Sequence, residues 1–319
     1  MMRIAIAGAG GFAYLLAQEI SQTANAVLVL SRQEHPEFEQ NLNVQFTVVN
    51  FASVENLRYT LQGVDLVIST ISGNEQLDLI DAARRARVRL FVPSEFEGAL
   101  GHRSTPNDPL DRGSAAAMDL LRRWSQSKSS PMQYTVFSCG IFYERFAPGG
   151  LGTLNIGAGS GLSNPGDYLV DIGAQTAEIV EHNAHGRPIQ VCMTSVYDVA
   201  RFVAAAIELG PGNWPREFKM RGDQMSVRDI VGTCSNVRGV GFDLVVHQFR
   251  DLEAQLEYQQ QMGDWNRWYY FQRLIATANG RYNFRQANLN EAVNNSEHVD
   301  VRPLGFREWL EQAWGPALQ

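Results

Sequence analysis

Three glycines near the amino terminus form the pattern with the clearest chemical meaning in this chain. Gly8, Gly10 and Gly11 directly follow the apolar run Arg3–Ala7. In dinucleotide sites of the form G-x-G-x-x-A, the first glycine permits a tight turn and the second lets the backbone approach a pyrophosphate. The small last residue, here Ala13, lets helix and strand pack closely. A helix that begins here offers its unpaired N–H groups to the anion. The pattern predicts a dinucleotide site formed by Gly8, Gly10, Gly11, Phe12 and Ala13, with a plain strand–helix turn as the alternative.

The end of the second predicted strand favours one of the two nicotinamide cofactors. Sites that prefer NAD carry an Asp or Glu about 20 residues after the glycines, where it accepts a hydrogen bond from the ribose 2′-hydroxyl. This chain has Ser31 and Arg32 there, and the nearest carboxylate, Glu34, lies further along. A hydroxyl and a guanidinium are donors that suit a 2′-phosphate. We therefore expect NADP(H) rather than NAD(H), the alternative being that Arg32 is a solvated loop residue.

Alternating strand and helix patterns must position these residues. Apolar runs predict strands at residues 3–7, 27–30, 44–49, 66–69, 90–92 and 134–138, and periodic stretches predict helices at 12–20, 53–61, 74–85 and 111–127. This alternation predicts an α/β fold with a doubly wound parallel sheet of the Rossmann type. Ligands of such sheets bind beyond the carboxyl ends of the strands. The loops that start at residues 8, 31, 69, 93 and 139 are therefore expected to face one crevice.

Composition excludes several classes of partner. The chain has 319 residues and a formal net charge of −7, with no cluster of Lys and Arg, so we expect no nucleic-acid or anionic-membrane partner. No signal-peptide pattern and no run of about 20 apolar residues is present, which predicts a cytoplasmic protein. The expected partner is a small-molecule substrate. A homodimer is compatible with the sequence, which does not fix the oligomeric state.

One stretch of the chain is similar to a known family. Residues Leu90–Phe96 read LFVPSEF and resemble a motif of the NmrA-like and isoflavone reductase-like family, which are atypical members of the short-chain dehydrogenase/reductase superfamily. The resemblance is to the fungal, secondary-metabolism type and extends over nearly the whole chain. Its other segments are Gly63–Thr70, Tyr134–Thr135, Gly140–Phe142, Tyr197–Phe202 and Arg302–Trp309.

This resemblance implies a domain division and a cofactor. It implies a Rossmann domain over residues 1–148 and a smaller α/β substrate-binding region over residues 149–319, with about residues 176–210 packed back on the first domain. It also implies NADP(H) binding, in which Ser69, Thr70, Cys139 and Gly140 lie beside the nicotinamide half. Pro93 and Ser94 are further expected cofactor-binding residues. Plant reductases of the family act on aromatic phenolics, whereas other members are cofactor-binding regulators.

The chain departs from the family pattern at two places. The family glycine loop reads G-x-x-G-x-x-G/A, which Gly8 and Gly11 match, but Tyr14 occupies the third position. Either the register that ends at Ala13 is used, or Tyr14 crowds the loop. The family reductases also carry a lysine at the start of the helix before the sixth strand. Here that segment reads DRGSAAAM from Asp111 to Met118, and the chain has lysine only at residues 128 and 219.

Hydride transfer without this lysine requires another proton donor near the developing oxyanion. The loops after the fifth and sixth strands offer ionisable side chains, among them Glu97 and Glu144. Each of these is more often structural than catalytic. The catalytic candidates are His102, Tyr143 and Ser114.

Aromatic residues in the second half suggest a wall for a flat, apolar ligand. The predicted substrate pocket consists of Phe96, Phe142, Tyr143, Trp265, Trp268 and Tyr269, with core packing as an equal alternative for the last three. Residues 149–166 are rich in glycine and predict a mobile loop that covers the crevice. The pair His182 and His185 is interpreted as the end of a surface helix, and no metal site is expected.

These observations favour an NADPH-dependent reductase of a small aromatic or polyketide-like metabolite, acting on a C=O, C=C or C=N bond. Two alternatives remain open at this stage. One is an NADP(H)-binding regulator or redox sensor, which the missing lysine favours. The other is a non-redox isomerase or cyclase on the same fold, which Tyr14 in the glycine loop favours.

Overall fold

The first half of the chain forms a parallel sheet with helices on both faces. The computed structural model describes residues 1–103, 108–157 and 164–315. Six parallel strands lie in the order β3-β2-β1-β4-β5-β6. They are β1 Arg3–Ala7, β2 Ala26–Ser31, β3 Gln45–Val48, β4 Leu66–Ser69, β5 Leu90–Val92 and β6 Gln133–Tyr134. The helices between them are α1 Gly11–Ser21, α2 Pro36–Leu42, α3 Val54–Thr60, α4 Asn74–Arg85 and α5 Ser114–Ser125. The predicted Rossmann-type fold is confirmed.

Alternation of side chains along β1 explains why both faces are covered. Ile4 and Ile6 point to one face and pack with α1, whereas Ala5 and Ala7 point to the other face, where α3, α4 and α5 pack. All four strand residues are completely buried. A strand that is apolar at every position therefore fits a sheet with helices on both sides.

The second half adds smaller sheets. The strand β7 Val136–Ser138 continues from β6 and pairs in parallel with β12. The strands β13, β11 and β8 form one three-stranded sheet, and β14, β10 and β9 form another. Their bounds are β8 Ile141–Phe142, β9 Val170–Asp171, β10 Thr176–Val180, β11 Gln190–Thr194, β12 Glu217–Lys219, β13 Asp223–Ser226 and β14 Asp243–His247. The remaining helices are α6 Val196–Glu208, α7 Val227–Arg238, α8 Leu252–Met262, α9 Trp265–Ala278, α10 Asn288–Asn294 and α11 Phe306–Trp314.

Helix α6 packs on the parallel sheet although it comes late in the chain. Its buried residues, from Val196 to Ile207, belong to the same apolar cluster as α1 and β1. A separate cluster joins β10, α7, α9 and α11. Within the described residues, no helix combines the length and the apolar character needed to cross a membrane.

Candidate functional site

The turn between β1 and α1 requires glycine at its first position. Gly8 has a φ of +113°, and a Cβ there would lie 2.1 Å from the Thr70 side-chain oxygen. The Gly8 N–H donates to the carbonyl of Leu30, 2.8 Å away, which ties the turn to the end of β2. The Gly10 backbone is extended at the N-cap, and α1 begins at Gly11. The turn therefore has the tight geometry that the sequence pattern predicts.

A segment from the second half of the chain lies directly on this turn. We call residues Leu154–Ile156 the covering segment. A Cβ on Gly11 would lie 1.6 Å from the carbonyl oxygen of Leu154, so only glycine fits there. The Gly11 N–H donates to the carbonyl of Asn155 at 3.2 Å, and the side chains of Leu154 and Ile156 pack against the core around α1. One N–H group that could bind an anion is thus bonded to the protein itself. The rest of the predicted covering loop includes residues 158–163, which lie outside the described residues.

Tyr14 does not crowd the glycine turn. Its ring packs edge-on against Phe38 of α2, with ring centres 5.2 Å apart. Its hydroxyl lies 3.5 Å from the side-chain amide of Asn41, also in α2. The departure from the family pattern at this position is therefore accommodated by contacts with α2.

Arg32 lies at the carboxyl end of β2 with its side chain 71% exposed. Its Nη1 is 3.3 Å from Oε1 of Glu75, in the first turn of α4. Ser31 is buried, and its hydroxyl oxygen accepts a long hydrogen bond from the Gln33 N–H, at 3.4 Å. A guanidinium and a hydroxyl are thus in place at the end of β2, but the guanidinium faces a carboxylate.

The other predicted cofactor contacts lie at the carboxyl ends of β4, β5 and β7. The hydroxyls of Ser69 and Thr70 donate to the carbonyls of Ile71 and Ala7, at 3.0 and 2.9 Å. Pro93 is buried, and the Ser94 N–H next to it donates to Gln76 Oε1 at 2.7 Å. Cys139 is buried as well, and burial raises the pKa of its thiol. At Gly140, φ is +73° and a Cβ would lie 2.0 Å from the carbonyl of Cys192, so glycine is required.

Ser114, the first residue of α5, is bonded to a buried carboxylate. Its hydroxyl donates to Oε2 of Glu95 at 2.6 Å, and the same oxygen is 2.7 Å from Nη1 of Arg103. Arg103 is only 4% exposed. Burial raises the pKa of Glu95 more than Arg103 and Ser114 lower it. Glu95, in the LFVPSEF stretch, thus anchors the loop between β5 and α5.

Glu97 forms a second carboxylate site in the same loop. Arg281 donates to both of its oxygens, at 2.9 and 3.2 Å, and Arg103 lies 3.6 Å from Oε1. Burial raises the pKa of Glu97, but the charges of Arg103 and Arg281 outweigh burial, so its pKa lies below the usual value. Glu97 is therefore a poor proton donor at neutral pH.

Three predicted aromatic residues meet next to the glycine turn. The ring of Phe12 is edge-on to Phe96 at 4.7 Å and lies 5.8 Å from Phe142. Phe96 and Phe142 line a cavity of about 160 Å³, which we call the Phe142 cavity. Its other lining residues are Glu97, Arg112, Gly140, Ile141, Arg145, Leu151, Ile156, Gly157, Tyr168, Arg273 and Tyr282. The cavity thus combines an apolar side with several charged and phenolic groups.

The remaining catalytic candidates lie elsewhere. Tyr143 is completely buried, and its hydroxyl donates to the carbonyl of Leu304 at 3.1 Å. Burial, with nearby carboxylates, raises its pKa well above the usual value. His102 is exposed on a short 3₁₀ turn, Leu100–His102. Neither residue is among the described residues that line the Phe142 cavity.

The aromatic residues at the start of α9 do not line this cavity. Trp265 and Tyr269 are 54% and 42% exposed, and Trp268 packs edge-on against both. The α9 residue that reaches the cavity is Arg273, two turns further along. Sequence reasoning missed Arg273 and also Arg112, Arg145, Tyr168 and Tyr282. The one available signal was the strong excess of arginine over lysine.

The structure contains a larger cavity away from the parallel sheet. It has a volume of about 610 Å³, and its lining includes His182, Asn183, Phe249 and Arg250. His182 and His185 belong to a turn between β10 and β11 rather than to the end of a helix, because residues 181–187 form no helix. Among the described residues, no group of three or more His, Cys, Asp or Glu side chains is arranged to bind a metal.

Comparison with known proteins places this geometry in context. A model of the NmrA-like family matches residues 2–269. The curated protein "Oxidoreductase BOA1" of Botryotinia fuckeliana is 26% identical over 253 residues, which cover 75% of this chain and 77% of that protein.

Solved structures share the fold at low sequence identity. The NADPH-dependent quinone oxidoreductase QOR2 of Escherichia coli superimposes with a TM-score of 0.67 and 13% identity, covering 97% of this chain and 98% of that one. A structure from work on pinoresinol-lariciresinol and phenylcoumaran benzylic ether reductases gives a TM-score of 0.67 and 18% identity, covering 98% and 99%. These likenesses show that the fold is common to the three proteins.

Proposed function

The chain belongs to the NmrA-like family, and on that premise we propose that it is an NADPH-dependent reductase of a small aromatic or polyketide-like metabolite. The observation that carries the proposal is the position of the Phe142 cavity. Phe12, in the first turn of α1, contacts both Phe96 and Phe142 of the cavity wall. A nucleotide on the glycine turn and a substrate in the cavity would therefore be neighbours. The name of the relative from Botryotinia fuckeliana, an oxidoreductase, supports this activity.

The residues at the carboxyl ends of the strands fit NADP(H) in shape and charge. Gly8 permits the tight turn, Gly11 carries no side chain that would block a pyrophosphate, and Arg32 offers an exposed guanidinium to a 2′-phosphate. Because the Gly11 N–H is bonded to Asn155, the covering segment must withdraw before an anion can reach that group. In this proposal the pyrophosphate is held by Gly8, Gly10, Gly11, Phe12 and Ala13, the 2′-phosphate by Ser31 and Arg32, and the nicotinamide half by Ser69, Thr70, Pro93, Ser94, Cys139 and Gly140.

The cofactor supplies a hydride when bound, and the chain must hold the substrate, exclude water and supply a proton. Phe96 and Phe142 hold the apolar part of the substrate and exclude water. Of the two tyrosines that line the cavity, Tyr168 has its hydroxyl bonded to that of Thr277. We assign the proton to Tyr282, whose pKa is raised by burial and by Glu97, so that its hydroxyl is protonated at neutral pH. An alkoxide is a stronger base than tyrosinate, so this proton can move to a newly formed alkoxide.

Nucleotide binding tests the cofactor. The protein should quench or shift its tryptophan fluorescence on titration with NADPH at micromolar concentrations. Replacement of Arg32 by alanine should weaken NADPH binding far more than NADH binding, because the guanidinium binds the 2′-phosphate, which NADH lacks. Arg58→Ala is the matched control, since Arg58 is also exposed and paired with a glutamate, Glu55. Equal losses for both nucleotides in Arg32→Ala would contradict the assignment.

A cofactor-binding regulator is the second candidate. It is favoured by the absence of lysine from the segment Asp111–Met118 and by the covering segment on the glycine turn. Turnover separates the two functions. A reductase consumes NADPH with at least one member of a panel of quinones, enones, ketones and imines. Binding of NADPH without consumption over the whole panel favours the regulator. Absence of binding of either nucleotide rejects both and leaves a non-redox activity.

A further inference from the structure

Three arginines from distant parts of the chain meet in the Phe142 cavity. Arg112 precedes α5, Arg145 lies on the 3₁₀ turn Tyr143–Phe146, and Arg273 belongs to α9. Among the described residues that line the cavity, the single carboxylate is that of Glu97. Guanidinium groups are weakly hydrated, planar donors that match carboxylates and phosphates.

The carboxylates close to these arginines are shared with other cations. Glu97 interacts electrostatically with Arg112, but it is also bonded by Arg281 and lies close to Arg103, neither of which lines the cavity. Asp167 interacts electrostatically with both Arg145 and Arg273. Two like charges in a partly buried site are unfavourable unless an anion joins them.

Arg273 has a donor that no protein group uses. Its Nη2 donates to the backbone carbonyl of Asp167 at 2.9 Å. Its Nε is buried and has no hydrogen-bond partner within the described part of the chain. A buried donor without a partner destabilises the folded state. An anionic ligand with several acceptor oxygens would remove this cost.

The size of the cavity limits the ligand. A volume of about 160 Å³ is close to that of an apolar cavity, about 150 Å³, that binds one benzene ring. The apolar side, formed by Phe96, Ile141, Phe142, Leu151 and Ile156, suits such a ring. The charged and apolar groups line one space, so a single small molecule can contact both.

We propose that the Phe142 cavity binds a small carboxylate-bearing aromatic molecule, with the carboxylate held by Arg112, Arg145 and Arg273. This inference rests on the proposed reductase function, because the cavity is the substrate site in that proposal, and it names the charge that the substrate carries. An anionic oxygen group could also belong to the phosphates of the cofactor. The position of the cavity, beside Gly140 and away from Arg32, favours the substrate.

The test compares benzoate with benzamide, which has nearly the same shape and no charge. Isothermal titration calorimetry should give a dissociation constant about tenfold or more lower for benzoate, as one charge-assisted hydrogen bond provides. This preference should shrink at high salt. Equal affinities, or absence of benzoate binding in the millimolar range, overturn the proposal.

Variants locate the effect. Arg273→Gln and Arg112→Gln should each reduce the preference for benzoate by about tenfold, and Arg302→Gln, at an exposed position, should leave it unchanged. Arg112 is exposed, so its variant should fold even if Arg273→Gln does not. Unchanged preference in Arg112→Gln, or in Arg273→Gln where that variant folds, overturns the proposal.

NADPH titrations of the same variants identify the source of the anion. Affinity for NADPH should change less than twofold in Arg112→Gln. A loss of NADPH affinity equal to the loss of benzoate affinity would assign the arginines to a cofactor phosphate and overturn the proposal. Failure of the proposed reductase has a different signature: benzoate remains preferred over benzamide, but the wild-type protein binds no NADPH.

Discussion

At the scale of single residues, the proposed function assigns the choice of nucleotide to Arg32, which is paired with Glu75. Glu75 lies 3.3 Å from the guanidinium that would bind the 2′-phosphate, so the two acceptors compete for it. We expect Glu75→Gln to raise the affinity for NADPH by up to about fivefold, because exposed ion pairs contribute at most about 1 kcal/mol. The affinity for NADH should stay the same. Fluorescence titration measures both constants.

A glutamate in a similar exposed pair provides the control for this prediction. Glu55 is bonded to Arg58 and Arg85 on the surface near α3. Glu55→Gln changes the net charge by the same amount, so any general effect of charge on NADPH binding should appear there too. Equal gains in Glu55→Gln and Glu75→Gln would show that Glu75 does not act through Arg32.

Sequence reasoning named some residues of the candidate site and missed others for physical reasons. The glycines, Phe12, Phe96 and Phe142 follow the ends of predicted strands, and parallel strands place such residues at one edge of the sheet. Arg112, Arg145 and Arg273 follow no short spacing, and tertiary packing alone brings them together. The pattern at Trp265, Trp268 and Tyr269 shows that they share a face of α9, but an aromatic face does not reveal what covers it.

At the scale of elements, Glu178 joins two strands and a helix. It lies on β10, with Nε2 of His247 on β14 at 2.6 Å and both Nη atoms of Arg267 on α9 within 2.7 Å. Burial raises the pKa of Glu178, but the hydrogen bonds from Arg267 and His247 outweigh it. The pKa therefore lies below the usual value of 4.5. These contacts fix α9, and with it Arg273, on the smaller sheet.

This pKa shift predicts a pH dependence of stability. A carboxylate whose pKa is lower in the folded state contributes its full stability above the unfolded pKa and loses it as the pH falls through the folded pKa. The contribution is about 1 kcal/mol, because Arg267 is 40% exposed and solvent screens the pair. Lowering the pH below 4.5 should thus reduce the free energy of unfolding of the wild type more than that of Glu178→Gln, as measured by urea unfolding. Glu257→Gln, at an exposed site on α8, should follow the wild type, and parallel curves for all three would refute the assignment.

In the parallel sheet all six strands were predicted, whereas helix α2 was missed, and its residues show why. The apolar runs of β1, β2 and β4 are buried at nearly every position and therefore carry a strong pattern. Helix α2, Pro36–Leu42, buries only Phe38 and carries Glu37 and Glu39 in its first turn. A seven-residue helix with one buried side chain has no periodicity to recognise. Pro36 at its start was the available signal, since proline favours the first turn of a helix.

At the scale of the whole molecule, the carboxyl-terminal helix belongs to the core although the family match ends at residue 269. Phe306 of α11 is completely buried and contacts Tyr143 and Trp309, with ring centres 5.3 and 6.0 Å away. We expect Phe306→Ala to lower the free energy of unfolding by about 3–5 kcal/mol, as removal of a buried phenylalanine usually does. Arg307→Ala, on the exposed side of α11, should change it by less than about 0.5 kcal/mol. Denaturant titration measures the free energy of unfolding of both variants. An equally small decrease in Phe306→Ala and Arg307→Ala would mean that α11 contributes little to folding.

The contact between the covering segment and the glycine turn has a consequence for the speed of binding. A nucleotide cannot reach the Gly11 N–H while the Asn155 carbonyl accepts its hydrogen bond. In the proposed binding mode, association proceeds through an opening step that does not depend on the nucleotide. The observed rate should rise with nucleotide concentration and level off at the opening rate, instead of increasing without limit as in a simple collision. The apparent affinity is lower than the intrinsic one by the fraction of molecules that are open. The opening of the covering segment would thus set the upper limit on the rate of nucleotide binding.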